Sequence, residues 1–263
     1  MPPPLIALLT DFGLRDHYVA SMKAVILGIC PDATLLDITH EVPPQDITAG
    51  ALELEAVCPY LPDGAIVVAV VDPGVGSARR PVAVDTGRIR LVGPDNGIFS
   101  LVIGAAPSWR AVDLRETAYQ RQVVSRTFEG RDRFGPVAAW LATGAEFGAL
   151  GPAVDHLVPL DLAAPRVTPD GVDGQVLRVD RFGNLVTSLT DASVAEVAPA
   201  VVTVGHVRIE GIVSTYADVP EGALCALIGS TGRLEIAVAG GSAADRLRLA
   251  RGAPVQVRRS AAA

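Results

Sequence analysis

The chain has 263 residues and a formal net charge of −7, from 29 acidic and 22 basic residues. Hydrophobic residues make up 49% of the sequence and charged residues 19%, a composition that excludes a disordered chain and is typical of a globular protein. The net charge is negative, and the basic residues form no cluster larger than a pair such as Arg79-Arg80. We therefore expect neither nucleic acid nor an anionic membrane as a partner.

The sequence carries no pattern for export or for a disulfide framework. Residues 1–9 lack the basic start and the long apolar segment of a secretion signal, and apolar runs such as Ala65 to Val71 have the length of a strand. The cysteines Cys30, Cys58 and Cys225 lie far apart, without a C-x-x-C motif. We therefore expect a cytoplasmic protein with neither disulfides nor a zinc site.

The first part of the chain alternates short apolar runs with helical periodicity, which predicts βαβ units around a mostly parallel central sheet. Asp16 and Asp46 are predicted to cap the first two helices, and a third helix is predicted around Pro136 to Leu141. The predicted strands are Leu5 to Leu9, Leu35 to Ile38, Ala65 to Val71, Pro81 to Asp85, Ile89 to Val92 and Ala111 to Leu114.

Prolines and acids interrupt all periodicity over residues 151–172, and the pattern beyond them is that of short strands. We therefore predict an α/β domain over residues 1–160, a linker over 161–172 and an all-β, barrel-like domain over 173–263. The predicted strands of the second domain are Val176 to Val179, Leu185 to Leu189, Val201 to Ile209, Leu224 to Ile228, Leu234 to Val238 and Val255 to Val257.

Polar residues follow several predicted strands of the first domain. Asp11 and Phe12 come after the first strand, Asp72 after the third, Asn96 after the hairpin, and Glu129 lies in a later loop. A single acid at a strand end is usually a helix cap or a turn residue. Several on one edge of a parallel sheet favour a ligand site, because ligands of such sheets bind at the carboxyl ends of the strands.

Common nucleotide, metal and nucleophile motifs are missing. Gly74-Val75-Gly76 has Arg79 where a dinucleotide-binding loop has its third glycine, and no P-loop sequence follows. The four histidines have no ligand-like spacing, and neither H-E-x-x-H nor G-x-S-x-G occurs. We predict an enzyme without a metal or a cofactor.

Two turns of the second domain, residues 180–184 and 229–232, have two interpretations that the sequence leaves open. They are ordinary hairpin turns, or they contribute to a binding site. In the second case Phe182 stacks on a flat heterocycle, and the amide of Asn184 offers its edge a paired donor and acceptor, as an Asn amide does to adenine.

Taken together and in order, these segments resemble the adenosine-forming S-adenosyl-L-methionine (SAM) hydrolases, or SAM hydroxide adenosyltransferases, which are relatives of the fluorinase and the chlorinase. The resemblance runs over nearly the whole chain. The motifs that carry it are Leu9-Thr10-Asp11-Phe12-Gly13 with Asp16, Asp37-Ile38-Thr39-His40, Val71-Asp72-Pro73-Gly74-Val75-Gly76 with Arg79-Arg80, Pro94-Asp95-Asn96-Gly97, Thr127-Phe128 with Gly130-Arg131-Asp132, Asp180-Arg181-Phe182-Gly183-Asn184, and Ser230 with Leu234-Glu235-Ile236-Ala237.

The resemblance implies a homotrimer that holds SAM or adenosine between the N-terminal domain of one subunit and the C-terminal domain of its neighbour. It implies that Asp11 binds the ribose hydroxyls, Asp16 the methionine amine and Ser230 the amino-acid carboxylate. The residues that would surround adenine are Phe182, Asn184 and Tyr216. Further substrate contacts are expected at Phe12, Asn96, Glu235 and Val238.

Asp72 and Arg79 match two members of the family's Asp-Arg-His set that activates water. Glu129 stands where the family loop Thr-Phe-His-Gly-Arg-Asp has its histidine. A carboxylate also accepts a proton, so we predict that these three residues align water for attack on ribose C5′, giving adenosine and L-methionine.

Two alternatives remain open. In a halogenase that forms 5′-chloroadenosine, a halide replaces water, although Asp72 would repel it. The second alternative is a non-catalytic binder of adenosine or SAM. The observation that favours it most is Glu129 in place of the family histidine.

Overall fold

A computed structural model describes residues 3–197 and 199–260 of the chain. The chain forms two compact units, Met1–Asp161 (unit 1) and Leu162–Ala263 (unit 2). Unit 1 is an α/β structure with a mixed sheet, and unit 2 is an antiparallel, barrel-like sheet. The predicted fold class is confirmed.

Unit 1 has a seven-stranded sheet with the order β2-β1-β3-β5-β4-β6-β7. Its strands are β1 Leu5–Thr10, β2 Thr34–Thr39, β3 Ile66–Val70, β4 Pro81–Asp85, β5 Arg90–Pro94, β6 Arg110–Asp113 and β7 Ala153–Val154. Its α-helices are α1 Tyr18–Ile29, α2 Ile47–Val57, α3 Ser100–Ala105 and α4 Gly135–Ala142. All strands except β4 and β7 run in one direction, as the pairings of neighbouring strands show.

Helices cover both faces of this sheet. Alternate residues of β1 belong to two cores, with Ile6 and Leu8 on the side of α1 and α4, and Ala7 and Leu9 on the side of α2 and α3. Every residue of β3 is buried, which explains why this central strand is a continuous apolar run instead of an alternating one.

Of the two predicted helix caps, one is confirmed and one is wrong. Asp46 caps α2, because its Oδ1 accepts a hydrogen bond from the backbone N of Ala49 at 3.0 Å. The predicted cap of α1 is wrong: His17 occupies the N-cap, without a side-chain hydrogen bond, and Asp16 lies one residue before it. The chain enters α1 through an irregular loop, which local sequence did not reveal.

The carboxyl ends of β1, β3 and β5 lie on one edge of the sheet, because these strands pair in parallel. Asp11 directly follows β1, Asp72 lies two residues after β3, and Asn96 lies two residues after β5. The sheet therefore brings these loops to the same edge, as predicted.

Unit 2 has the strand order β12-β11-β15-β9-β10-β14-β13, with β8 paired to β9. The strands are β8 Arg166–Thr168, β9 Gly171–Val179, β10 Leu185–Thr190, β11 Ala200–Val204, β12 Val207–Glu210, β13 Leu224–Ile228, β14 Arg233–Val238 and β15 Pro254–Arg259, and the helices are α5 Asp191–Val194 and α6 Ala243–Leu247. All these pairings are antiparallel, and the two end strands β12 and β13 lie next to each other, so the sheet nearly closes.

Two details of unit 2 differ from the prediction. The single strand expected over Val201 to Ile209 is two strands, because Gly205 adopts a positive φ of 58° and turns the chain into a hairpin. The segment 161–172, predicted as the linker, contains β8 and the start of β9.

Membrane-spanning helices, metal-binding clusters and disulfides are absent from the described part of the chain. None of its helices combines the length and the apolarity that crossing a bilayer requires. Residues 3–197 and 199–260 contain no group of three or more His, Cys, Asp or Glu side chains arranged to hold a metal ion. Cys30, Cys58 and Cys225 are free thiols, and all three are buried.

Candidate functional site

The three predicted catalytic residues of unit 1 are in direct contact. Arg79 Nε donates to Asp72 Oδ1 at 2.9 Å, and Arg79 Nη2 donates to both Asp72 Oδ2 and Glu129 Oε2. The three side chains are at most 10% exposed. Burial alone would lower the pKa of the Arg79 guanidinium, but its hydrogen bonds to Asp72 and Glu129 outweigh this effect and raise the pKa. Arg79 is therefore a permanent cation between two buried carboxylates.

Two loops bring this cluster together. Gly76 has a φ of 77°, and a Cβ at this position would lie 2.8 Å from the carbonyl oxygen of Arg126, so only glycine lets the two loops pass this closely. Glu129 directly precedes a π-helical turn, Gly130–Phe134, that leads into α4. Arg133 lies in this turn and forms an ion pair with Glu129, with Arg133 Nη1 3.2 Å from Glu129 Oε1.

A cavity of about 70 Å³ adjoins the carboxylates of Asp72 and Glu129. The residues that line it are Asp11, Phe12, Val70, Asp72, Val75, Thr127, Phe128, Glu129 and Gly130. A water molecule occupies about 30 Å³ in the liquid, so this cavity has room for a water-sized nucleophile. Acidic side chains from two strand ends and from the Glu129 loop thus surround a space of the size that water attack requires.

Asp11 has one carboxylate oxygen fixed by the protein. The backbone N of Gln45 donates to Asp11 Oδ2 at 2.8 Å, and Gln45 adopts a φ of 67°, which is uncommon for a residue with a side chain. The β2–α2 loop therefore holds this carboxylate at the rim of the sheet.

Aromatic rings form the apolar wall of the same cavity. Phe12 and Phe128 meet edge to face with ring centroids 5.7 Å apart, and Tyr18 contacts both rings. A Cβ on Gly130 would lie 3.3 Å from the Phe12 ring, so this glycine gives the ring room. Phe12 was predicted here, whereas Tyr18 was not. The sequence signal for Tyr18 was its position in the first turn of α1, close to Phe12 along the chain.

The other two predicted contacts of unit 1 lie outside this cavity lining. Asn96 Nδ2 donates to the carbonyl oxygen of Val71 at 2.9 Å, and Asn96 Oδ1 accepts from the backbone N of Ile98 at 3.3 Å, so its amide holds the chain next to Asp72. Asp16 is exposed. Direct binding of substrate by these two residues stays a prediction.

Unit 2 has a larger cavity, of about 540 Å³, that brings together four predicted residues. Its lining consists of Phe182, Asn184, Tyr216, Val238, Gly240 and Gly241. Phe182 is 75% exposed, an unusual state for a phenylalanine and one that suits stacking on a planar ligand. Gly240 and Gly241 were not predicted, although a pair of glycines that lets a ligand approach the backbone is a recognisable signal.

The Asp180 carboxylate fixes the orientation of the Asn184 amide. Asp180 Oδ1 accepts from the backbone N atoms of Phe182 and Asn184, each at 2.8 Å, and Asp180 Oδ2 accepts from Asn184 Nδ2 at 2.9 Å. The amide nitrogen must face the carboxylate, so Asn184 Oδ1 is the atom left to accept a hydrogen bond. Residues 180–184 thus form a tight turn that also presents two cavity residues.

Glu235 lies behind Tyr216. Tyr216 OH donates to Glu235 Oε2 at 3.3 Å, and a Cβ on Gly229 would lie 1.9 Å from Glu235 Oε1, so the carboxylate occupies the space that this glycine leaves open. Burial, reinforced by the charge of Asp180, raises the pKa of Glu235. The neighbouring Ser230 is exposed and is not part of the cavity lining, so its predicted contact remains untested.

Two domain models of one protein family match this chain. The SAM hydroxide adenosyltransferase N-terminal domain matches residues 6–151, and the C-terminal domain of the same family matches residues 174–256. An (R)-S-adenosyl-L-methionine hydrolase of Thermus thermophilus is 43% identical over 96% of this chain and 98% of its own length. The fluorinase of Nocardia brasiliensis is more distant, at 26% identity over 97% of each chain.

A solved structure supports the same relationship. The crystal structure of an uncharacterized conserved protein from Thermotoga maritima superposes with a TM-score of 0.89 and 32% identity, over 96% of this chain and 99% of that one. Both domain models match in order, and together they span most of the sequence. The chain belongs to the SAM hydroxide adenosyltransferase family.

Proposed function

We propose that this protein hydrolyses SAM to adenosine and L-methionine. The observation that carries the proposal is the buried Asp72–Arg79–Glu129 cluster beside a cavity of about 70 Å³. A cavity of this size next to two carboxylates suits a water molecule that loses a proton as it attacks. The (R)-S-adenosyl-L-methionine hydrolase to which the chain is 43% identical supports the same reaction.

The chemistry requires an aligned nucleophile more than any other element. In SAM the positive sulfur makes ribose C5′ electrophilic, and the departing thioether is neutral, so no acid is needed to protonate it. Water forms the new C5′–O bond, the C5′–S bond breaks, and sulfur keeps the bonding electron pair as the thioether of methionine. The proton of water passes to a carboxylate. Holding water in line with C5′ and sulfur lowers the barrier by about 7 kcal/mol.

Within the cluster we assign different roles to the two carboxylates. Nε and Nη2 of Arg79 form a bidentate contact with Asp72. A carboxylate fixed in this way suits the role of orienting water. Glu129 receives Arg79 on one oxygen and Arg133 on the other. We propose that Glu129 accepts the proton, and that Arg79 and Arg133 hold its carboxyl group in place.

Substrate recognition is divided among the predicted residues. Asp11 binds the ribose hydroxyls through its remaining oxygen, Asp16 the amine and Ser230 the carboxylate of the methionine part. In the unit 2 cavity Phe182 stacks on adenine, and Asn184 Oδ1 accepts from the adenine amine. Both sets of residues must reach one ligand molecule, which the homotrimer implied by the family resemblance would allow. Light scattering on the purified protein tests the trimer, which has three times the monomer mass.

A halogenase is less well supported. A halide in the small cavity would lie beside the carboxylates of Asp72 and Glu129, and repulsion between like charges is costly where water is excluded.

Product analysis separates the candidate functions. The purified protein is incubated with SAM in ¹⁸O-labelled water, with and without chloride, and the products are separated by chromatography and weighed by mass spectrometry. Hydrolysis gives methionine and adenosine that carries the label at the 5′-hydroxyl. A halogenase would give 5′-chloroadenosine, and a non-catalytic binder would return SAM unchanged. The Asp72→Asn variant, prepared in parallel, shows whether the activity belongs to this site or to a contaminant.

A further inference from the structure

A hydrogen-bonded chain behind the loop that carries Asp11 begins at two buried residues and ends at two partly exposed ones. Thr10 is fully buried and His40 is 3% exposed, and Thr10 Oγ1 lies 2.8 Å from His40 Nδ1. His40 Nε2 lies 3.1 Å from Asp37 Oδ1, and Lys23 Nζ donates to the other oxygen of Asp37 at 2.6 Å. None of these four side chains belongs to the cavity lining or to the proposed reaction.

We assign the donor and acceptor of each hydrogen bond in this chain from the contacts that its groups make. The backbone N of Phe12 donates to Thr10 Oγ1 at 3.2 Å, so the Thr10 hydroxyl is free to donate its own proton to His40 Nδ1. His40 Nδ1 is then an acceptor, and the imidazole proton sits on Nε2, where it faces the Asp37 carboxylate. Along the path from Phe12 N through Thr10 and His40 to Asp37, each donor has one acceptor. Such an arrangement keeps a buried polar group in a single orientation.

Backbone hydrogen bonds join the same two loops. Gly13 N donates to the carbonyl oxygen of His40 at 2.7 Å, and Val42 N donates to that of Thr10 at 3.4 Å. Together with the bond from Gln45 N to Asp11, these contacts tie the β1–α1 loop to the β2–α2 loop on both sides of Asp11. These backbone bonds are available to any sequence, whereas the bond between Thr10 and His40 depends on the identity of their side chains.

We infer that Thr10 and His40 are positioning residues that fix Asp11 for binding the ribose of the substrate. Asp11 lines the reaction cavity, whereas Thr10 and His40 lie behind it in the interior, so they act on the substrate only through the loop between them. The inference rests on the proposed function, since it assigns these residues to the binding step of SAM hydrolysis.

Paired substitutions test the Thr10 hydroxyl. Thr10→Val removes the hydroxyl and leaves Phe12 N and His40 Nδ1 without their partner, so we expect the KM for SAM to rise about tenfold, the equivalent of one hydrogen bond. Thr10→Ser restores the hydroxyl and should return KM to within about twofold of wild type. The same comparison at His40 uses Asn, whose Oδ1 can replace Nδ1 as acceptor, and Leu, which cannot accept.

Unit 2 provides a matched control. Thr187 is also fully buried, and its Oγ1 accepts from the backbone N of Leu189 at 3.1 Å, the same two-residue spacing as Thr10 and Phe12. Thr187→Val therefore carries a comparable folding cost. It should leave the KM for SAM unchanged, because Thr187 lines neither cavity.

A double-mutant cycle with Asp11 separates positioning from general destabilisation. If Thr10 acts through Asp11, Thr10→Val should raise KM in the wild-type background and have no further effect in the Asp11→Ala background. An equal rise in both backgrounds, or a lower melting temperature with an unchanged KM, would overturn the inference. If wild type does not convert SAM, the proposed function fails instead, and the same cycle measured as adenosine affinity by calorimetry still decides the positioning role.

Discussion

Arg79 Nη2 donates a hydrogen bond to Glu129 Oε2, which joins two loops that are 50 residues apart in the sequence. The contact places a carboxylate where the family resemblance leads one to expect a histidine, and a second arginine, Arg133, contacts the other oxygen of that carboxylate. A carboxylate, like an imidazole, can accept a proton from water. The substitution at this position therefore keeps a proton acceptor in the cluster.

Glu129→Gln should lower kcat for SAM hydrolysis about a hundredfold, because the amide keeps the shape of the side chain but cannot accept the proton of water. KM should change little, since Glu129 is not proposed to bind SAM. Steady-state assays that follow adenosine release give both constants. Glu146→Gln, at an exposed position of unit 1, is the matched control and should match wild type. An unchanged kcat in Glu129→Gln would remove Glu129 from this role.

Arg79→Met should destabilise the fold by about 3 kcal/mol, because it leaves the buried Asp72 carboxylate without its cation. Glu129 keeps Arg133 as a partner in this variant. Urea unfolding followed by circular dichroism measures the loss.

Adding Asp72→Asn to the Arg79→Met variant should recover most of that stability, because the orphaned charge is removed. If the single Arg79→Met variant unfolds at the same urea concentration as wild type, the pair contributes no net stability and its role is confined to chemistry.

Sequence patterns predicted the elements whose structure depends on local chemistry. The continuous apolar run that became β3 and the Asp46 cap of α2 are examples, because each depends on residues within one or two turns of chain. The break at Gly205 had its signal in the sequence too, since a glycine between two β-branched runs favours a hairpin.

Features set by tertiary contacts were not predictable in the same way. The irregular entry into α1, with His17 instead of Asp16 at the N-cap, follows a loop in which Gly13 N donates to the carbonyl oxygen of His40, 27 residues further along the chain. The π-helical turn after Glu129 packs against Phe12 and α1, and no local propensity indicates it. Arg133 is an exception, because it lies four residues after Glu129, a spacing that predicts an ion pair on a helix.

The turn that presents Phe182 and Asn184 depends on Gly183. Its φ is 85°, and a Cβ there would lie 2.2 Å from Ser242 Oγ. Gly183→Ala should therefore lower the free energy of unfolding by about 1–3 kcal/mol and weaken adenosine binding, because both neighbours must shift.

Gly211 is the control for backbone strain alone, because its φ is 79° and nothing lies within 4 Å of the position of a Cβ. Gly211→Ala should lose about 1 kcal/mol of stability and keep the adenosine affinity of wild type. Thermal unfolding and calorimetry on both variants separate the two effects. Equal adenosine affinity in Gly183→Ala would show that the turn does not position the binding residues.

The fixed orientation of Asn184 predicts a preference for adenosine over inosine. Asn184 Nδ2 is held by Asp180, so the oxygen that remains can accept from the 6-amino group of adenine but is repelled by the 6-oxo group of hypoxanthine. We expect inosine to bind at least about tenfold more weakly than adenosine in calorimetric titrations. Equal affinities would place the base edge away from Asn184.

Glu235→Gln should stabilise the protein at neutral pH. Burial and the charge of Asp180 raise the pKa of Glu235 above its ordinary value of 4.5, so the folded state favours the protonated form. The stability associated with this group is fully present below pH 4.5 and is lost as the pH rises through the folded-state pKa. Gln cannot ionise, and it can still accept the hydrogen bond of Tyr216. The variant should therefore melt at a higher temperature than wild type at neutral pH, and this advantage should disappear on acidification.

Melting temperatures of both proteins between about pH 4 and 8 check this prediction. Tyr216→Phe provides a companion test, because the Tyr216 hydrogen bond lowers the pKa of Glu235 and its loss should push that pKa further up. The advantage of Gln over Glu at neutral pH should then be larger in the Tyr216→Phe background. A difference in melting temperature that stays constant across the whole pH range would mean that ionisation of Glu235 does not control the stability of this region.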